Sequence, residues 1–288
     1  MALFHRTLFV DCRAFLGFFI FNLCEKTEFN IMKTIILCGG MGTRMKEETE
    51  FKPKPLVLVG GKPILWHIMK LYAYFGYNEF VLALGYKGSM IKDYFLNERA
   101  FVNDFTLDTS NGQIVFHNNT NDNFRITFVE TGLESLTGKR ILGVKNYINE
   151  DEFMVTYGDG VSDINIADLV AFHKKSGKIG TITGVHPYSK YGLLKTDAGG
   201  NLVEGFDQKP KLYDYVSGGF MVFNRKAFDY FDSGIMEDGL MNLVKEGQLA
   251  SYQYEGFWKA MDTYREMEEL NKLWESERPW AIWEKKND

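Results

Sequence analysis

Three features of this 288-residue sequence predict an α/β fold with a mixed, mainly parallel sheet. Short apolar, β-branched runs alternate with segments of helical period. The first run opens onto a glycine-rich turn, and the strand, helix and strand that follow make a βαβ unit, the building block of parallel sheets. Such a sheet binds its ligand at the carboxyl ends of its strands. With 45% hydrophobic residues, the chain can bury one large core that carries a small insertion.

Thr34–Leu37 is the first buried strand, and Gly39, Gly40 and Gly42 follow it. Pro63 opens a helix with Ile64, Leu65, Ile68, Met69, Tyr72 and Phe75 on its apolar side, and Gly76 stops it. Phe80–Leu84 is the second strand. Ile126–Glu130, Phe153–Tyr157, Gly180–Val185 and Gly219–Phe223 continue the sheet, and a helix over Ile166–Lys175 ends at Gly177. The polar, asparagine-rich stretch between Phe101 and Phe124 is an excursion, with strand-like pieces at Phe105–Leu107 and Ile114–Phe116. A hairpin is expected over Leu193–Phe206, turning at Asp197–Asn201. Tyr264–Trp274 has helical spacing, and the density of Trp258, Trp274, Trp280 and Trp283 predicts a packed tail or a subunit contact.

The segment Ile35–Leu56 carries the chemistry. Its glycines let backbone N–H groups approach an anion, Arg44 and Lys54 add charge, and prolines on either side of Lys54 limit its backbone. This is suited to a polyphosphate. Gly-Gly-x-Gly-Thr-Arg at Gly39–Arg44, followed by Lys-Pro-Lys-Pro at Lys52–Pro55, is similar to the signature of the sugar-phosphate nucleotidylyltransferases. Glu47–Thr49, Gly61–Lys70 and Tyr157–Val161 resemble most the members that join CTP to glucose 1-phosphate, giving CDP-glucose and pyrophosphate. The similarity runs from about Met32 to the C-terminus.

That resemblance implies a Rossmann-like nucleotidyltransferase fold of the glycosyltransferase-A kind, helices on both sheet faces, CTP and a hexose 1-phosphate as substrates, Mg2+ as cofactor, and a homo-oligomer. It makes Arg44, Lys54, Asp159 and Lys209 catalytic and Asp159 and Asp262 the metal ligands. Nucleotide binding falls to Gly39, Gly40, Gly42, Thr43, Arg44, Lys54, Gly85, Thr131, Gly132, Thr137 and Gly138. The sugar phosphate falls to Tyr157, Gly158, Gln208, Lys209, Ser217 and Gly218. Gln208 and Ser217 stand where the family has glutamate and asparagine, which leaves the sugar open.

The chemistry suits these residue types. A sugar phosphate, with a second pKa near ~6, is mostly ionised at neutral pH and needs no protein base. It needs in-line positioning of two polyanions and stabilisation of the leaving pyrophosphate, which cations provide. Asp159 and Asp262 also admit plainer roles as turn or helix-cap residues, and Asp163 is read as a cap before Ile166. Ser135 and Thr137 would either reach the base or cap a helix beginning near Lys139. Base recognition is assigned to Gly85–Gly88 and Glu130–Arg140. His67 and His173 lack metal-ligand spacing and are read as packing or surface residues.

A net charge of −5 argues against nucleic-acid binding, so positive charge must be concentrated in a pocket. Three cysteines, two of them at Cys12 and Cys24, make no disulfide or zinc framework and suit a reducing cytoplasm. A UTP or dTTP enzyme, or a binding protein without turnover, remains an alternative. A dinucleotide-dependent oxidoreductase does not fit, because Gly39–Arg44 lacks the third glycine and carries a cation.

Residues Met1–Ile31 are read as an extension outside a single domain over 32–288. Their apolar stretch, Ala14–Leu23, is about half of the ~20 residues that span a membrane. No small-residue cleavage site follows it. A chain beginning at Met32 is therefore expected to be soluble and as active as the full chain; membrane association, or loss of activity on truncation, would contradict this.

Overall fold

The computed structural model describes residues 32–118 and 122–284. Met1–Ile31, with Cys12, Cys24 and Ala14–Leu23, lies outside the described residues. The central sheet has seven strands: β1 (Thr34–Leu37), β2 (Glu79–Leu84), β3 (Arg125–Glu130), β4 (Glu152–Tyr157), β5 (Gly180–Val185), β6 (Val216–Asn224) and β7 (Leu249–Tyr254). Their order is β7-β5-β6-β4-β1-β2-β3. Ile35 sits opposite Val81 on one side and Val155 on the other, both in parallel register. Only β6 runs antiparallel to its neighbours, β4 and β5. The expected mixed, mainly parallel sheet is present.

Six helices pack around it: α1 (Ile64–Tyr74), α2 (Gly88–Val102), α3 (Thr137–Gly143), α4 (Ile166–Ser176), α5 (Met236–Lys245) and α6 (Tyr264–Glu275). The two-residue period of the strands sorts the core into two layers. Ile36, Leu82, Met154 and Val222 face α1, α4 and α6, while Ile35, Val81, Val155 and Met221 face α3 and α5. Helices therefore cover both faces.

Elements that the sequence left unread have weak patterns for physical reasons. α2 buries only Gly88 and Ile91, so its apolar periodicity is thin. α5 contains Gly239, where a Cβ would stand 2.3 Å from the Phe231 ring, a close approach that overrides helix propensity. β7 lies at the sheet edge with no fully buried residue. The excursion is a two-stranded hairpin, Phe105–Asp108 with Gln113–Phe116, and the expected second hairpin pairs Leu193–Thr196 with Val203–Asp207.

Three capping expectations change. Asn165, not Asp163, caps α4 by accepting from the Asp168 N–H at 3.1 Å. Asp163 instead accepts the Phe257 N–H at 2.7 Å and the Tyr254 hydroxyl. Neither Ser135 nor Thr137 caps α3: the Ser135 hydroxyl donates to the Thr131 carbonyl, and Thr137 Oγ1 accepts the Met236 N–H. Thr263 caps α6 in a reciprocal box with Glu266, which leaves the Asp262 side chain free for other work.

The tail packs as the tryptophan density suggested. Trp66, Trp274, Trp280 and Trp283 surround the buried His67 ring. His67 Nε2–H donates to the Val59 carbonyl at 2.8 Å, and its Nδ1 accepts from Trp280 Nε1–H at 3.3 Å. These two bonds require the neutral ring. Among the described residues no helix is long and apolar enough to cross a membrane.

Burial pushes the pKa values of His67 and His173 down to about 4 each. The unfolded chain then binds these protons first as pH falls, so their contribution is complete above ~6.5 and is lost toward ~4. Each should cost about 3 kcal/mol across that window. Urea midpoints measured between pH 7 and 4.5 are expected to fall, and to fall less steeply in His67→Gln than in the parent.

Candidate active site

A cavity of about 360 Å³ opens at the carboxyl ends of β1 and β4. The glycine turn after β1 forms one wall, and Tyr157, Gly158 and Asp159 after β4 form another. Gly42 takes a left-handed φ of 62°, and a Cβ there would stand 2.6 Å from Thr49 Cγ2. Glycine is required at that point. The Thr49 hydroxyl donates to the carbonyls of Gly42 at 3.1 Å and Met45 at 2.9 Å, tying the short helical turn Lys46–Thr49 back onto the loop. From behind, the Tyr86 hydroxyl donates to the Thr49 carbonyl at 3.2 Å, and Lys87 Nζ donates to the Thr49 and Glu50 carbonyls. Tyr86 and Lys87 thus brace the turn.

The charged groups converge on one ammonium. Lys54 Nζ lies 2.5 Å from Asp159 Oδ2 and 2.9 Å from Asp262 Oδ1, and Arg44 reaches Asp262 Oδ2 at 3.2 Å. Burial works against the Lys54 charge, yet the Asp159 and Asp262 carboxylates outweigh it and hold its pKa above the ordinary lysine value. Burial likewise opposes ionisation of Asp262, but its bond to Lys54, with Arg44 and Lys190 nearby, keeps it below the usual carboxylate range.

Arg140, which the sequence did not single out, is the buried centre of the cavity floor, with 4% of its surface exposed. Its Nη1 donates to the Leu84 carbonyl, Thr131 Oγ1 and the Gly132 carbonyl, and its Nη2 donates to the carbonyls of Gly39 and Leu133. A Cβ on Gly39 or Gly85 would fall 2.1 or 2.4 Å from this guanidinium. Those glycines make room for it. The only sequence signal was position: Arg140 ends the stretch assigned to the base.

The structure brings most predicted residues together. Gly39, Gly40, Gly42, Thr43, Arg44, Lys54, Thr137, Tyr157, Gly158, Asp159 and Asp262 all line the cavity. Gly85, Thr131 and Gly132 lie behind it around Arg140, and Gly138 serves close packing, since a Cβ would meet the Gly234 carbonyl oxygen at 2.7 Å. Ser135 and Leu136, within the stretch assigned to the base, line the wall together with Ile235, which the sequence did not single out. The Tyr157 hydroxyl donates to Glu237 at 2.7 Å, so α5 fixes that ring.

The sugar-side residues divide. Lys209 lines a second cavity of about 430 Å³ that shares Asp262 with the first, and it holds a left-handed φ of 49°. Gln208 and Ser217 are exposed and line neither cavity, while the Gly218 carbonyl accepts from Trp258 Nε1–H at 2.8 Å.

Residues 33–272 match the model of the nucleotidyl transferase family, and the chain belongs to that family. Within it, the chain is 45% identical to the Bacillus subtilis protein named "Probable glucose-1-phosphate cytidylyltransferase", over 88% of this chain and 100% of that protein. It is 42% identical to glucose-1-phosphate cytidylyltransferase of Salmonella typhi, with the same coverage, 88% and 100%. The solved structure of HddC from Yersinia pseudotuberculosis superposes with a TM-score of 0.61 at 20% identity, covering 84% of this chain and 99% of that one, a likeness of fold.

Arg140→Ala would remove five hydrogen bonds; the Gly39 and Leu84 carbonyls keep the N–H groups of Tyr86 and Thr131, while Thr131 Oγ1 and the carbonyls of Gly132 and Leu133 lose their donor. At about 1–3 kcal/mol for a buried group left unpaired, a loss of at least about 3 kcal/mol is expected. Denaturant unfolding of the two proteins measures it; equal midpoints would contradict the assignment.

Proposed function

We propose that this chain transfers a cytidylyl group from CTP to α-D-glucose 1-phosphate, releasing pyrophosphate and forming CDP-glucose. The observation that carries the reading is the Lys54, Asp159, Asp262 and Arg44 cluster beside the glycine turn. The names of the relatives support the choice of CTP and of glucose. The domain over 32–288 would work in a reducing cytoplasm, which the cysteine usage suits, and as a homo-oligomer, as the resemblance implies.

A divalent cation fits the donor set. Asp159 and Asp262 both reach one ammonium, so they lie close enough to share one cation. Among the described residues no group of three or more His, Cys, Asp or Glu gathers to hold a metal. Two carboxylates would supply the hard oxygen donors that suit magnesium. Bound there, Mg2+ would supply charge cancellation between the two polyanions.

The glycine turn, Arg44 and Lys54 would receive the phosphates of the nucleotide. An ionised oxygen of the sugar phosphate attacks the α-phosphorus in line, and the bond to the pyrophosphate oxygen breaks. Arg44 and Lys54 stabilise the charge that collects on that leaving group. Thr131–Gly138, with Ser135, Leu136 and Thr137 at the cavity wall, would read the base, its backbone groups telling an amino group from a carbonyl. Gln208 and Ser217 stand outside both cavities, which favours unchanged glucose preference over a retuned sugar pocket.

Pyrophosphate release from a grid of nucleoside triphosphates and sugar 1-phosphates tests the assignment, with CTP and glucose 1-phosphate expected to stand out. Lys54→Ala and Arg44→Ala should each lower kcat by about 10²–10³-fold while the protein stays folded. Asp159→Asn should weaken the magnesium dependence. Release with another pair alone, or near-normal kcat in both cation variants, would overturn the reading.

A further inference from the structure

The second cavity has more positive charge than its own carboxylates neutralise. Lys259 and Arg265 are both engaged by Glu269, at 2.7 and 3.0 Å. Lys209 forms no ion pair among the described residues. Lys190 is held only loosely, 3.9 Å from Glu266 Oε1, and 62% of its side chain is exposed. The other oxygen of that carboxylate, Oε2, already accepts the N–H groups of Asp262 and Thr263, at 2.7 and 2.9 Å. Glu266 is thus shared, and two ammonium groups remain available in one cavity.

Backbone pairing brings these two lysines together, although they are distant in sequence. The Ser189 N–H donates to the Pro210 carbonyl at 2.8 Å, the Leu212 N–H donates to the Pro187 carbonyl at 2.8 Å, and Tyr188 forms a bridge with Lys211. The loop that carries Lys190 is therefore laced to the segment that follows Lys209. Both lysines line the cavity, whose far end is Asp262. An anion entering it faces two cations on adjacent, mutually hydrogen-bonded segments and shares Asp262 with the first cavity.

We propose that Lys190 is a second binding residue for the phosphate of the sugar 1-phosphate, acting with Lys209. The inference rests on the functional reading above and adds to it a residue that neither the spacing nor the resemblance selected. Two cations match the dianionic phosphate better than one, and Glu266, by pairing weakly with Lys190, keeps that side chain over the cavity without neutralising it. The same carboxylate fixes the backbone of Asp262, so the phosphate site and the end of the cation-sharing pair are set by one side chain.

Calorimetric titration of glucose 1-phosphate into the full chain, with magnesium and a non-hydrolysable CTP analogue present, reads this directly. Lys190→Ala should bind glucose 1-phosphate about tenfold more weakly, with binding of the CTP analogue within twofold of the parent, and Lys190→Arg should restore most of the loss. In turnover the same change should appear in KM for the sugar phosphate and not in kcat. Unchanged affinity in Lys190→Ala, a loss that the CTP analogue shares equally, or no binding of glucose 1-phosphate by the parent would each overturn the proposal. A parent that binds glucose 1-phosphate through Lys190 yet releases no pyrophosphate from CTP keeps this inference and loses the functional reading.

Discussion

Three adjacent parallel strands, β1, β2 and β3, end at one level, and Arg140 gathers the carbonyl groups at and beyond their ends onto one guanidinium, adding to the N–H groups of Tyr86 and Thr131 that already reach the Gly39 and Leu84 carbonyls. A planar guanidinium with five donors is suited to such a cluster, because its fork reaches several acceptors from one buried point. Burial lowers its pKa from the arginine value, but the starting value is so high that the charge survives. Two glycines give way to it, Gly39 at the end of β1 and Gly85 at the end of β2. The phosphate turn begins at one of these and the loop that braces it begins at the other. The geometry of the cavity mouth therefore rests on one side chain that belongs to α3.

Above that floor, like charges are held together by exchange of partners. Asp159 and Asp262 would repel each other if left alone, and Lys54 lies between them. On the proposed reading, the two carboxylates would hold a divalent cation and the ammonium would meet phosphate, an exchange of partners. Its cost is lowered because the side chains are preorganised by the strand end, by the Lys52–Pro55 segment and by the cap of α6.

That cap ties the site to the C-terminal tail. α6 begins directly after Asp262, its box between Thr263 and Glu266 holds the N–H of Asp262, and its far end carries Trp274 into the ring cluster around His67. The indole of Trp274 also occupies the space next to Gly60, where a Cβ would lie 2.0 Å from it. The tail is thus part of the apparatus that places Asp262. A buried neutral histidine at its centre makes this packing sensitive to acid.

By itself the sequence determined the elements whose signal is local. Short apolar runs marked β1, β2 and β4, glycines and prolines marked the turn after β1, and the motifs around Arg44, Lys54, Asp159 and Asp262 carried a family resemblance. It did not reveal α2, α5 or β7, whose burial is thin, interrupted by glycine or confined to a sheet edge, so their residues carry little periodicity. Nor did it reveal Arg140 as the floor of the cavity, since a single arginine after Thr-Gly-Lys looks the same whether exposed or buried. Tertiary structure alone decided that Asp163 accepts from the Phe257 segment and that Thr137 meets α5. It alone placed Lys190 beside Lys209 and turned Gln208 and Ser217 outward. These are contacts between segments far apart in the chain, and a pattern of neighbours cannot encode which distant backbone group a side chain will meet.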